Sequence, residues 1–277
     1  MQDKTKIFLD SGDPAETREA IQLLGSLDGQ TTNPSLIAKS AGGGPATAGK
    51  KFSQEEILDF YKGVVQEVSG LIPHGSVSVE VYADAETKAE EMLQQADEFY
   101  QWIPNAHIKF PTTLEGLKAA EAAVKEGMRV NMTLCFSQNQ AAAVYAATRG
   151  ATKGQVYVSP FVGRLDDRGE NGMDLIANII KMYDSGDGHV EVLTASVRNT
   201  AHVLKTLELE SDIMTAPLKV LKEWKAEAQS QAAADLKPIP YEEIDLNKNW
   251  QDYDLHHDLT DTGIKRFAED WNALISK

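Results

Sequence analysis

A single cysteine, Cys135, stands in a chain of 277 residues. No intrachain disulfide can form, and a centre built from several thiolates is excluded. No run of about 18 consecutive apolar residues occurs, so nothing has the length and polarity of a membrane-spanning helix. The opening stretch MQDKTKIFLDSGD lacks a basic segment followed by an apolar one, so no secretory signal is expected and the chain reads as cytoplasmic. Cations are in deficit: 27 Lys and Arg face 42 Asp and Glu, a net charge of −15. Without a Lys/Arg cluster, a nucleic-acid partner is not expected, because phosphate backbones demand a basic surface. An anionic ligand would have to be held locally, by arginines or backbone N–H groups working against the mean field. The six histidines (His74, His107, His189, His202, His256 and His257) form no H-E-x-x-H or H-x-H pattern, so no metal is expected. Glycine-rich phosphate loops, Gly-x-Gly-x-x-Gly turns and Gly-x-Ser-x-Gly elbows are missing too, and no cofactor is expected.

What is there is ordinary globular material, 42% hydrophobic and 25% charged. Short apolar, β-branched runs recur eight times: KIFLD from Lys6, DGQTTN from Asp28, VSVEV from Val77, HIKF from His107, RVNMTL from Arg129, QVYVSPF from Gln155, HVEVLTAS from His189 and DIMTAP from Asp212. Helical patterns fill the gaps, such as PAETREAIQLL and TLEGLKAAEAAVKEG. Eight strand-then-helix units in a chain near the ~250 residues typical of that architecture predict an α/β fold, a (β/α)8 TIM barrel. A doubly wound open sheet is the alternative, disfavoured by the missing glycine-rich turn after the first strand. Residues 1–277 are read as one domain, with a barrel core over 1–234 and a C-terminal extension and helix over 235–277. The stretch SAGGGPATAGKKFS from Ser40 reads as a flexible surface loop. The terminal TGIKRFAEDWNALI reads as an amphipathic helix that covers a barrel face or a subunit contact. Phe267 and Trp271 on it could pack internally or in a homo-oligomer.

Chemistry in such a barrel gathers at the C-terminal ends of the strands. In chain order these ends offer Asp10, Thr32, Asn33, Glu80, Lys109, Asn131, Thr133, Ser159, Ser196 and Arg198. Lys109 is the anomaly, placed between Ile108 and Phe110 in an otherwise buried run. A charged, unpaired lysine inside a packed barrel costs several kcal/mol, so it must pair with a carboxylate or lose its proton. A neutral amine beside a bound carbonyl is the nucleophile for a Schiff base, the electron sink for making and breaking C–C bonds. A structural ion pair, or a lysine snorkelling out at the rim, is an equal alternative. Asp10 and Glu80 are the carboxylates best placed to partner it and to move protons. Asp10 could instead cap a helix, although Asp13 before Pro14 fits that position better. Alternation in VSVEVYA sets Glu80 opposite Val79 and Val81, toward the interior, against the alternative of a solvated or salt-bridged glutamate. Arg164 and Arg198, just beyond later strands with Ser196 nearby, suit phosphate oxygens better than surface salt bridges. Cys135 follows Thr133 and Leu134 in an apolar run and reads as a small core residue.

The motifs FLDSGD, DGQTTNPSLI, VEV, IKFPTTLEGL, VNMTLCFS, SPFVGR and ASVRN, in this order from Lys6 to Pro217, resemble those of the transaldolase family. The ending HHDLTDTGIKRFAEDW resembles that family's C-terminal segment. The resemblance implies a Schiff-base transferase of the pentose phosphate pathway. It would move a dihydroxyacetone unit from a ketose phosphate (sedoheptulose 7-phosphate or fructose 6-phosphate) to an aldose phosphate (glyceraldehyde 3-phosphate or erythrose 4-phosphate). Sugar phosphates would then be its partners, without metal or cofactor. It also implies roles: Lys109 as the Schiff-base lysine, Asp10 handling protons at the donor hydroxyl, Glu80 working through a water that Thr133 helps position. Asn33, Asn131 and Ser159 would hold the three-carbon unit, and Arg164, Ser196 and Arg198 the phosphate. Fructose 6-phosphate aldolases share the lysine but release dihydroxyacetone; in their pattern a glutamine and a tyrosine stand where this chain has Glu80 and Phe136. A non-catalytic sugar-phosphate-binding barrel would be marked by loss of the lysine or the carboxylates, and neither is lost. Tyr82 and Ala83 depart from the polar continuation of the family pattern, which leaves the preferred acceptor open.

Overall fold

The computed structural model describes residues 5–43, 51–227 and 235–276. Eight parallel strands close into a barrel in sequence order. They are β1 (Lys6–Asp10), β2 (Gly29–Thr31), β3 (Ser76–Glu80), β4 (Ala106–Pro111), β5 (Val130–Cys135), β6 (Val156–Pro160), β7 (Val190–Thr194) and β8 (Ile213–Ala216). Each expected run holds one strand, and the barrel is the predicted (β/α)8 fold. The surrounding helices are α1 (Pro14–Leu24), α2 (Pro34–Gly43), α3 (Gln54–Leu71), α4 (Ala89–Tyr100), α5 (Leu114–Lys125), α6 (Gln138–Ala147), α7 (Val162–Asp166), α8 (Gly172–Tyr183), α9 (Thr200–Glu208), α10 (Leu218–Lys225) and α11 (Asp258–Asn272).

The local chemistry at the βα turns explains why helices begin where they do. Asp13 accepts from the Ala15 amide at 2.8 Å with Pro14 in the first turn, so Asp13 and not Asp10 caps α1. Ser53, Thr113, Ser137, Asn171 and Asn199 do the same for α3, α5, α6, α8 and α9. Short caps of this kind let each strand end within a few residues of its helix, which fixes the side chains at the barrel mouth.

Two layers fill the barrel. Near its N-terminal end the Phe8 and Tyr157 rings meet edge to face at 6.1 Å, and His107 stacks on Tyr157 at 4.1 Å. Two residues further along the same strands stand Asp10, Ser159 and Lys109, as the strand period of two requires. The aromatic layer is thus the floor of a polar one. Burial drives the His107 pKa down to about 3, so the floor carries no imidazolium charge.

Three differences from the sequence reading have physical causes. Ser40–Gly43 closes α2 and so does not belong to a loop, and Phe52 is buried and bridges Ile275; residues 44–50 of the expected loop lie outside the described residues. The segment before the last helix is anchored by buried Leu246, Trp250 and Tyr253, with the Trp250 indole donating to Glu121 at 3.0 Å. Finally, α11 begins at Asp258 because the His257 side chain accepts from the Leu259 amide and caps it. Phe267 and Trp271 are 6% and 7% exposed, and Trp271 meets the Tyr61 ring at 6.0 Å; both pack internally.

A close approach behind β4 makes a test of this architecture. A Cβ on Gly116 of α5 would lie 1.9 Å from the Pro111 carbonyl oxygen, so Gly116→Ala must push α5 away from the strand that carries Lys109. A loss of about 1–3 kcal/mol is expected, read as a lower urea midpoint; an unchanged midpoint would contradict this packing.

Candidate active site

The register sets Glu80 of β3 beside Lys109 of β4, and Lys109 beside Asn131 of β5. Lys109 Nζ lies 2.7 Å from Glu80 Oε2, and its aligned hydrogen bond goes to the Thr32 carbonyl at 2.9 Å. Both residues are sealed in, at 3% and 4% exposure. Tyr61 of α3 holds this arrangement from outside the barrel: its hydroxyl accepts from the Glu80 amide at 2.8 Å and pairs with Thr32 Oγ1 at 2.7 Å. The sequence offered no sign of Tyr61, because nothing short of the folded barrel brings α3 against the ends of β2 and β3.

Both carboxyl groups near the lysine hold protons more tightly than usual. Burial raises the Glu80 pKa, opposed by the Lys109 and Arg164 charges, with Asp10 adding to the rise. Burial also raises the Asp10 pKa, opposed by the Thr31 hydrogen bond and Lys109. Thr31 Oγ1 donates to Asp10 Oδ1 at 2.7 Å and contacts Thr215 Oγ1 at 2.7 Å. Carboxyl groups whose pKa is raised by burial in this way are suited to take and return protons.

The lysine and Asp10 open onto a cavity of about 220 Å³, lined also by Asn33, Thr133, Ser159, Arg164, Ser196 and Arg198. Eight of the ten candidate residues therefore share one cleft, while Glu80 and Asn131 stand behind its wall. Asn131 links Ser159 Oγ, at 2.6 Å, to Ser78 Oγ, at 3.1 Å, across the barrel. The Asn33 side-chain oxygen accepts from the Leu36 amide at 2.9 Å, which caps α2 and orients its amide nitrogen. Thr133 Oγ1 is buried with no hydrogen-bond partner among the described residues, a polar group free to bind what enters.

The same cleft is lined by arginines. The Arg164 guanidinium lies between the rings of Phe161 and Phe267, at 5.2 and 5.3 Å. Arg198 pairs with Asp167. The Gly163 amide donates to Ser196 O at 3.1 Å, and a Cβ on Gly163 would lie 2.5 Å from Arg198 Nε, so this glycine lets the loops after β6 and β7 touch. Ser196 adopts φ +58°, a left-handed conformation that turns the loop between β7 and Arg198. Sequence reasoning missed Arg266 of α11, which lines the same cleft; its one signal was a cation beside the apolar face of the terminal helix. Cys135 is buried and its pKa is raised to about 12 by burial, as a core residue's would be. Among the described residues no group of three or more His, Cys, Asp or Glu is placed to hold a metal ion, and no helix is long and apolar enough to cross a membrane.

A family model described as "Transaldolase/Fructose-6-phosphate aldolase" matches residues 7–277. The chain belongs to the transaldolase/fructose-6-phosphate aldolase family. It is similar to a "Probable transaldolase" of Dehalococcoides mccartyi, 37% identical over 97% of this chain and 99% of the relative. It is likewise similar to one of Brucella ovis, 39% identical over 96% of each. Among solved structures, a carboxyl transferase domain of Rhizobium etli pyruvate carboxylase covers 99% of this chain and 48% of its own, with TM-score 0.51 and 12% identity; that likeness is one of fold. Membership makes the protein an enzyme, of a family with two named activities.

The raised Asp10 pKa yields a test that is independent of turnover. Asp10 holds its proton to higher pH in the folded chain than in the unfolded one, so the wild type loses stability as pH rises from the ordinary 3.8 through the raised value. Asp10→Asn escapes that loss. Its urea midpoint should exceed the wild type's at neutral pH, with the gap narrowing toward about pH 3; a midpoint below the wild type's at neutral pH would refute the assignment.

Proposed function

We propose that the protein is a transaldolase, transferring a dihydroxyacetone unit between sugar phosphates through a Schiff base on Lys109. The observation that carries the reading is Lys109 Nζ at 2.7 Å from Glu80, with Lys109 lining a cleft that Asp10, Arg164 and Arg198 also line. Glu80 is the nearest base to receive the ammonium proton. The free amine then adds to the ketose carbonyl, and the carbinolamine hydroxyl takes a proton and leaves as water, giving an iminium. Asp10 removes the proton of the hydroxyl on the fourth carbon, and the bond between the third and fourth carbons breaks. Its electron pair passes to the iminium nitrogen as an enamine, and the first aldose phosphate departs. The enamine then attacks the second aldehyde, whose oxygen recovers the proton from Asp10; water releases the product and restores the amine.

Transfer requires the enamine to outlive the exchange of aldoses. Asn33 and Ser159 at the cleft wall, with Asn131 bracing Ser159, supply hydrogen bonds that retain the three-carbon unit. Arg164, Ser196 and Arg198, all in the cleft lining, supply donors for the departing and arriving phosphates, which supports phosphorylated substrates such as sedoheptulose 7-phosphate and erythrose 4-phosphate. The lyase reading, release of dihydroxyacetone to water, is the second choice. Glu80 and Phe136 stand where the small aldolases' pattern has glutamine and tyrosine, and this favours transfer.

Borohydride reduction in the presence of fructose 6-phosphate, followed by peptide mapping, tests the chemistry. A three-carbon adduct on Lys109 is expected, and an acceptor assay then separates transfer from release. Lys109→Ala should fold and lose both adduct and turnover; retained activity would dismiss the mechanism. Arg198→Ala should raise KM for phosphorylated donors about tenfold, the worth of a charge-assisted contact, with a smaller effect on unphosphorylated ones. Equal losses for both would remove Arg198 from the phosphate site.

A further inference from the structure

We infer that Arg266, on the C-terminal helix, is a third arginine of the phosphate site, beside Arg164, Arg198 and Ser196, and makes α11 a determinant of substrate choice. The inference rests on the sugar-phosphate reading of the same site. Arg266 lines the cavity with Arg164 and Arg198. Its neighbour Phe267 carries the Arg164 guanidinium on its ring, and a Cβ on Gly263 would lie 2.7 Å from an Arg164 terminal nitrogen. One turn of α11 therefore both props Arg164 and presents Arg266. The nearness is felt electrostatically: after burial, the Arg266 charge is the largest influence lowering the Arg164 pKa.

The three guanidinium groups are held differently. Arg164 is clasped between two rings, and Arg198 is tied to Asp167. Arg266 has a side chain 69% exposed, and its Nε lies 3.9 Å from Asp270 Oδ2, at the outer limit of an ion pair. That same oxygen accepts the hydrogen bond of Ser35, another residue of the cleft wall. Asp270 is thus already committed and leaves Arg266 loosely placed.

Like charges gathered in one small cavity repel, and a chain of net charge −15 offers elsewhere the carboxylates they could have used. An anion with several oxygens relieves that repulsion. A phosphate monoester carries about −1.5 to −2 charges and three acceptor oxygens, each able to accept more than one hydrogen bond. Arg266 closes on the phosphate from the α11 side, moving off Asp270 as it does so. Such a ligand acts on the phosphate-bearing aldose and not on the dihydroxyacetone unit, so it selects both the leaving and the arriving substrate.

Titration of the full-length protein with inorganic phosphate by calorimetry tests this without any turnover. Arg266→Ala should weaken phosphate binding about tenfold and Arg266→Lys less, since an ammonium keeps the charge but not the fork. Lys265→Ala, which removes the same charge from an exposed neighbour outside the cleft, should bind as the wild type does. Equal affinities for Arg266→Ala and Lys265→Ala, or no phosphate binding by the wild type at millimolar concentration, would overturn the inference. Adduct formation on Lys109 is scored separately. Phosphate binding that depends on Arg266 without an adduct would sink the transferase reading and leave this one standing.

Discussion

The buried contact between Lys109 and Glu80 is the constraint around which the barrel is arranged. Removing both charges from water costs several kcal/mol for each, and replacing such pairs with apolar residues is often neutral or stabilising. The raised Glu80 pKa is the measure of that cost at this site. The fold meets it with polar groups brought from three directions: the Thr32 carbonyl on the amine, the Tyr61 hydroxyl on the Glu80 main chain, and the Arg164 charge beyond. A pair maintained against its own energetics, with one face open to a cleft, fits chemistry better than stability.

The two-layer filling of the barrel follows from the same constraint. Phe8, His107 and Tyr157 close the bottom with rings, which excludes water from below Lys109 and lowers the local dielectric. His107 stays neutral because burial disfavours its charged form, and this outweighs the Gly154 O contact at 3.0 Å; Ser76 Oγ meets the other ring nitrogen at 2.8 Å. A charged imidazole there would compete with Lys109 for the field of Glu80 and Asp10. The dry floor and the polar ceiling thus tune one another, and a strand period of two places them on the same strands.

How much of this was legible in the sequence depends on how local its cause is. Strands showed themselves as β-branched runs, helix starts as Asp13 or Thr113, and the lysine as a charge where apolar residues belong. Glu80 was read inward by alternation alone, and its register opposite Lys109 agrees. Tyr61, Phe52 and Arg266 were not read, since each owes its place to packing between segments far apart in the chain. The helix over Ser40–Gly43 was hidden for a different reason: glycine-rich sequence has weak helical propensity, and α11 packed against it supplies what the sequence lacks.

The docking of that last helix can itself be traced to one irregular residue. The β5–β6 register shifts between Met132 and Cys135, and Leu134 adopts φ +58°, a conformation that costs a non-glycine residue on the order of 1 kcal/mol. The distortion leaves the Leu134 carbonyl to accept from Thr260 Oγ1 of α11 at 3.0 Å, while Gln140 donates to the same hydroxyl at 2.9 Å. A regular strand would spend that carbonyl on its neighbour in the ladder. The bulge thus converts one strand hydrogen bond into an anchor for the helix that covers the cleft, supports Arg164 through Phe267 and carries Arg266. It sits directly after Thr133, so the strain that docks α11 and a polar group that lines the cleft belong to one turn of chain.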